Sequence, residues 1–236
     1  MKKILIIFIT SISIISCKED KKQITTKSTA TEDKIVEKEF TPTTEAEKIA
    51  YANGFENWKN VKKIDFTFNV DRNGEKVSSR SWSWKPTTDY IKMSSRLDTI
   101  TYKRSTSLDS TALQADKGFI NDKFWLLTPY QLLWDEETSI TVNKDTISPL
   151  LERSLHKLTI VYGNKGGYTP GDAYDFYYDD KYIIREWVFR NGNRPEPSMN
   201  TTFEAYQTYQ GLNIATEHKD KSGSLNIYFT DIKVTR

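Results

Sequence analysis

The sequence predicts an α+β fold that is mainly antiparallel β: a strongly curved, unclosed β-barrel of about nine to eleven strands with an N-terminal helix as plug or lid. Three observations carry this. One stretch with helical spacing precedes many short stretches of two-residue alternation, the turns between those stretches are short enough to make hairpins, and the alternating face is aromatic in a chain that is 13% Phe, Trp and Tyr. So many hairpin-connected strands must curl or close to manage their edges, and wrapping a helix buries the aromatic face.

The first residues stand apart from that fold. Lys2 and Lys3 precede an apolar and hydroxyl run from Ile4 to Ile15, and Ser16 precedes Cys17, the one cysteine of the sequence. A charged start, an apolar middle and a small residue at the cleavage point make residues 1–16 a signal peptide. A transmembrane helix needs roughly 18 or more apolar residues, and this run is shorter and broken by Thr10, Ser11 and Ser13. Ile14-Ile15-Ser16-Cys17 resembles the bacterial lipobox, which implies acylation of Cys17 and a membrane as partner. A single cysteine also excludes a disulfide within the chain.

Residues 17–43 are rich in Lys, Glu, Asp, Thr and Gln and poor in apolar side chains. Such a segment cannot bury enough surface to offset its ordering entropy, so it reads as a lipidated flexible tether. Lys18-Glu19-Asp20 resembles the short lysine-plus-acidic signal of some Gram-negative lipoproteins, which implies an outer-membrane address facing the periplasm or the cell surface. Loss of Lys2 and Lys3 with the leader reduces 34 basic residues to 32, against 32 acidic ones. A near-zero, interspersed charge argues against nucleic acid as a partner, because phosphate binding needs a clustered basic surplus.

Residues 44–236 suit one domain. Thr44 and Glu47 have the spacing of a capping box, and Ala46, Ile49, Ala50, Tyr51, Phe55 and Trp58 recur at three- and four-residue intervals, which predicts a helix from Thr44 to about Asn60. Gly54 inside it costs about 1 kcal/mol against alanine and signals close packing or a bend. From Ile64 the period becomes two: Ile64, Phe66, Phe68 and Val70, a turn at Asp71-Arg72-Asn73-Gly74, then Val77, Trp82 and Trp84 on the returning strand before Pro86. Strands follow at Asp89–Met93 and Thr99–Ser105. Gly118–Trp125 reads as a strand pair around Asn121-Asp122, Thr128–Trp134 as a buried loop or one helical turn, and Ser148–Leu155 as a short helix. Leu158–Tyr162, Ala173–Tyr178, Ile183–Arg190, Thr201–Gln207, Leu212–His218 and Leu225–Val234 read as strands.

Few residues select a chemistry. His156 and His218 lie in separate segments with no metal-ligand spacing around them, short of the three or four ligands a zinc site needs. Asp172, Asp175, Asp179 and Asp180 are the best calcium candidates, but they do not match an EF-hand and alternate with Tyr174, Phe176 and Tyr178, so a solvated strand face and a turn explain them. There is no Gly-x-Ser-x-Gly elbow. Gly163-Asn164-Lys165-Gly166-Gly167 lacks the ending of a phosphate loop. Glu186, Glu204 and Asp231 are carboxylates that a fold could bring together for glycoside hydrolysis, though nothing in their spacing selects them. The expectation is a protein that is not an enzyme, with no cofactor and no metal.

Ala50-Tyr51-Ala52-Asn53-Gly54-Phe55-Glu56-Asn57-Trp58 leading into Ile64-Asp65-Phe66-Thr67-Phe68, the pair Ala173–Tyr178 and Ile183–Trp187, and the closing segments Gly211–Glu217 and Ile227–Val234 give the chain its order of elements. In that order, over about residues 45 to 236, it resembles the periplasmic lipoprotein-carrier superfamily of LolA/LolB-like and LppX-like proteins, unclosed β-barrels with helices plugging the mouth. The resemblance implies a lipid or acyl-chain ligand. The aromatics then expected to line its site are Phe55, Trp58, Phe66, Phe68, Trp82, Trp84, Tyr174, Phe176 and Trp187. The competing expectation is a surface-exposed module for a glycan or protein, its core filled and some of these tryptophans exposed as stacking platforms.

Overall fold

In the computed structural model of the chain, residues 40–165 and 167–236 are described; the expected signal peptide, Cys17 and the expected tether as far as Glu39 lie outside them. The first helix, α1 (Glu45–Ala52), starts with the expected capping box: the Glu47 amide donates to Thr44 Oγ1 at 3.2 Å, and the Thr44 amide donates back to Glu47 Oε2 at 2.8 Å. It does not run to Asn60 as one helix. The chain turns left-handed at Gly54 (φ +86°) and continues as a separate 3-10 turn over Phe55–Asn60. A Cβ at Gly54 would lie 1.9 Å from the Gly211 carbonyl oxygen, so close packing is the reason for the glycine.

Thirteen strands are present among the described residues, all paired antiparallel. One sheet contains β1 (Lys63–Arg72), β2 (Glu75–Lys85), β3 (Tyr90–Ser94), β4 (Thr99–Lys103), β12 (Glu217–Lys219) and β13 (Leu225–Thr235), in the order β12-β13-β1-β2-β3-β4. The other is a meander of β5 (Thr138–Ile147), β6 (Ser154–Tyr162), β7 (Ala173–Tyr178), β8 (Ile184–Arg190) and β9 (Met199–Thr202). A small hairpin, β10 (Gln207–Tyr209) with β11 (Leu212–Ile214), lies between β9 and β12 in sequence.

The two sheets are stitched where β9 meets β12. Glu204 bridges Glu217, and the Lys219 amide donates to Thr202 Oγ1 at 3.1 Å. The opposite edges, β4 and β5, have no strand partner on their outer sides, so the curved sheet stays unclosed. In β5 the register to β6 shifts between Asn143 and Thr146, and Asp145 has φ +49°. Lys144, at the same bulge, reaches Glu45 at 3.2 Å.

Two helices lie within this frame where the sequence suggested otherwise. Gly118–Trp125 is not a strand pair but part of α2 (Ser110–Leu126), 17 residues long and capped by Asp109, whose carboxylate accepts from the Ala112 amide at 2.7 Å. Its buried residues are Ala112, Ala115, Asp116, Phe119, Asp122, Trp125 and Leu126. That stripe has helical period, but two of its members are aspartates, which hid it from a reading based on apolar spacing. Thr128–Trp134 is a helix, α3, with Pro129 in its first turn. Ser148–Leu155 is not a helix: the Ser148 amide donates to Arg153 O, and the Leu150 and Leu151 amides are each 2.9 Å from the Glu186 carboxylate. Those two donors cap a carboxylate instead of starting a helical ladder. β5 was not foreseen, because most of its residues are exposed and no face reads as apolar.

Around α2 the core is aromatic on both sides. Phe119 meets Trp82 and Trp84 of the first sheet at 5.4 and 5.3 Å between ring centroids, while Phe124 meets Tyr174 of the second at 5.0 Å. Trp125 reaches both sheets, lying 4.4 Å from Trp187 and 5.1 Å from His218.

Gly54 and Gly74 separate backbone strain from packing. Gly74, in the β1–β2 turn, has φ +81° but open space where a Cβ would go. Gly74→Ala is expected to cost about 1 kcal/mol from the left-handed conformation alone, and Gly54→Ala at least about 3 kcal/mol because the clash with Gly211 adds to it. Urea midpoints of the two variants measure the difference.

Candidate functional site

The space inside the curved sheet is filled at one end and open toward the other. At the filled end Trp58 lies 4.8 Å from Trp134, 5.4 Å from Trp84 and 5.9 Å from Tyr130, and Phe55 adds an edge contact to Tyr130 at 5.3 Å. The Tyr130 hydroxyl donates to Asn53 O at 2.7 Å, which ties α3 to the end of α1. These elements plug the barrel at the end where Ile64 and Trp84 lie. Toward the β1–β2 turn the interior is a cavity of about 1000 Å³.

Both sheets and α2 contribute apolar wall. Phe68, Val70 and Ile227 come from the first sheet, Tyr174, Trp187, Phe189 and Met199 from the second, and Ile120, Phe124 and Trp125 from α2. Of the nine aromatics expected at a binding site, Phe68, Tyr174 and Trp187 line this cavity. Phe55, Trp58 and Trp84 lie in the plug cluster, Trp82 beneath Phe119, Phe66 against Phe229 at 6.0 Å, and Phe176 beside Phe124 at 6.4 Å. Sequence reasoning missed the contribution of α2. Its signal was the spacing of Ala112, Ala115 and Phe119 followed by Phe124 and Trp125.

Charged groups hold the cavity's frame. Arg80 on β2 makes a two-point bridge to Asp122, with Nη2 2.7 Å from Oδ1 and Nε 2.9 Å from Oδ2, and Trp82 Nε1 donates to the same carboxylate at 2.8 Å. Burial pushes the Asp122 carboxyl above its usual range, against the pull of Arg80. Six residues earlier on α2 Asp116 accepts from Arg104 Nε at 2.8 Å and from the Tyr168 hydroxyl at 2.9 Å.

A second polar group stands where α2 meets α3. Burial pulls the Lys123 ammonium down to about 8, with nearby Asp135 opposing the shift. Asp135 is pushed up by burial and accepts a hydrogen bond from the Tyr162 hydroxyl. Gln131, with its amide oriented to satisfy both neighbours, donates to Asp135 Oδ1 at 3.0 Å and accepts from Lys123 Nζ at 3.2 Å.

The candidates for other chemistry have structural partners. His156 pairs with Asp180 at 3.0 Å; Asp175 holds Arg190 and accepts from Thr159; Asp179 holds Arg185; the Gly192 amide donates to Asp172 at 2.7 Å. Glu186 caps the turn before β6, whereas Glu204 sits at the seam with β12. Among the described residues no three His, Cys, Asp or Glu side chains converge as a metal-binding group. His218 is fully buried between Phe203 at 4.2 Å and Trp125, with Nδ1 3.3 Å from Thr202 O. Burial pulls it down to about 3, so the ring is neutral over the physiological range.

No family model matches the chain, and no curated protein matches its sequence. Among solved structures it is similar to a LolA superfamily protein from Nitrosomonas europaea, 8% identical over 82% of this chain and 95% of that one, with a TM-score of 0.47. It is also similar to a domain from Vibrio parahaemolyticus named as an outer membrane lipoprotein-sorting protein domain, 15% identical over 80% of this chain and 93% of that one, with a TM-score of 0.41.

Two measurements probe this frame. Removing the acid alone in Asp122→Ala strands Arg80 and Trp82 Nε1 and is expected to cost about 3 kcal/mol, whereas Arg80→Met with Asp122→Leu recovers the part due to Arg80 and leaves that due to Trp82 Nε1. For His218, the unfolded chain takes up a proton below about pH 6.5 that the folded chain refuses until about pH 3. Stability is therefore complete above pH 6.5 and falls by about 1.4 kcal/mol per pH unit below it. In urea titrations from pH 7 to 4 the His218→Gln variant should lose that component of the slope.

Proposed function

We propose that this chain is a membrane-anchored lipoprotein whose half-barrel binds or relays a hydrophobic ligand, a lipid or an acyl chain. The cavity supports this reading. Its volume of about 1000 Å³ stands at the upper end of small-molecule sites, and half of its lining residues are aromatic or aliphatic, with charged side chains making up most of the rest. A sixteen-carbon chain moved into it gains about 0.8 kcal/mol per methylene, roughly 10 kcal/mol in all before the cost of association. The plug of α1, the 3-10 turn and α3 closes one end, leaving the β1–β2 end for entry.

The filled glycan- or protein-binding module is less well supported. Trp82, Trp84 and Trp187 are buried, at 2%, 9% and 4% exposure, and form no surface row for sugar stacking. The activity proposed is binding, with no catalytic residue assigned. Acylation at Cys17 and the Lys18-Glu19-Asp20 signal would hold the domain at the outer membrane by the tether, facing the periplasm or the cell surface.

Mass spectrometry of the full-length protein, purified from membranes of a Gram-negative host, tests both parts. The expected results are a co-purifying lipid that is released on denaturation, and an N-terminal peptide that begins at an acyl-modified Cys17. A lipid-free protein that also fails to bind long-chain amphiphiles would refute the ligand, and an unmodified leader would refute the anchor.

A further inference from the structure

We infer that Lys123 is a headgroup site inside the cavity, selecting a long-chain carboxylate over an uncharged lipid; this rests on the hydrophobic-ligand reading above. The cations that line the cavity fall into three kinds. Arg80 and Arg104 are each committed to an aspartate of α2. Arg72, Lys117 and Lys165 are exposed at the mouth and held in water. Lys123 is half-buried where α2 meets α3, deeper than those three.

Its ammonium lies 5.4 Å from the Trp134 ring centroid and 5.7 Å from that of Trp84, and its side-chain acceptor is the Gln131 amide oxygen. Among the described residues no carboxylate comes within 4.0 Å of it. Asp135, the nearby acid, is engaged by the Tyr162 hydroxyl and Gln131. An ammonium has three protons to donate and is costly to bury without an anion. Asp135 acts on this ammonium only from a distance, through Gln131, and a ligand carboxylate would supply the direct contact it lacks.

The charge balance narrows the head. One interior ammonium matches one negative charge. A phosphate monoester would bring nearly two, to a wall that already carries Asp135, Glu136 and Glu137. A carboxylate on an unbranched chain fits: oxygens on Lys123, methylenes along Phe124, Tyr174 and Trp187.

The test uses delipidated full-length protein and displacement of an uncharged fluorescent probe, 1-aminoanthracene, by palmitate and by methyl palmitate. Wild-type protein should bind palmitate at least about tenfold more tightly than the ester, the size of one charge-assisted hydrogen bond. Lys123→Met should bind the two alike, and Lys123→Arg should keep the preference for the acid. Equal binding of acid and ester by the wild type overturns the headgroup site while leaving the hydrophobic-ligand reading intact, and needs no variant to fold. A preference that survives Lys123→Met overturns it too. Displacement by neither compound overturns both readings.

Discussion

The placement of α2 across the concave face depends on two carboxylates. Asp116 and Asp122 occupy positions that an ordinary amphipathic helix would give to Leu or Ala, and each meets an arginine from the first sheet or its edge, Arg104 or Arg80. A buried ion pair of this kind adds little net stability, because desolvation consumes most of the attraction. Its contribution is register. A bidentate guanidinium fits one azimuth of the helix, and with Asp122 turned to Arg80 and Trp82, Phe119 must meet the first sheet while Phe124 faces the second and Trp125 reaches both. The side chains that separate the two sheets are thereby fixed, and so is the space left between them.

The plug follows from a different constraint, a close backbone approach. Gly54 lets the chain pass against Gly211, the Asn213 amide donates to Asn53 O at 3.0 Å, and Tyr130 closes on the same carbonyl. One carbonyl at the end of α1 thus serves both α3 and the β10–β11 hairpin. Three segments far apart in sequence are joined there, and the aromatic cluster of Trp58, Trp84, Tyr130 and Trp134 packs behind that junction.

Where local chemistry was decisive, the sequence was legible. The Thr44/Glu47 box, the alternation from Ile64 to Val70 and the Asn73-Gly74 turn each act within a few residues, and each is present. The curved, antiparallel class also followed, since it depends on the number of alternating runs. What failed depended on partners elsewhere. Asp122 reads as a turn residue until Arg80 is known to stand opposite it, and Leu150 and Leu151 read as helical until Glu186 takes their amides. The cavity was hardest to see. That Phe68, Tyr174 and Trp187 border open space while Phe66 and Trp82 are packed depends on how far along the sheet α2 extends, which no local pattern encodes.

An unclosed barrel also has an aggregation problem, and β5 shows how it is handled. The strand is ten residues long, edge-exposed, and carries Ile140, Val142 and Ile147 in contact with water. A straight edge of that length invites a strand from another molecule. The bulge at Asn143–Thr146 interrupts the row of free amides and carbonyls, and Lys144 sets a charge at that point, anchored back to Glu45 of the plug. The same irregularity that breaks the ladder to β6 thus leaves only short straight pieces exposed, so the fold can keep its seam open without offering a template for intermolecular pairing.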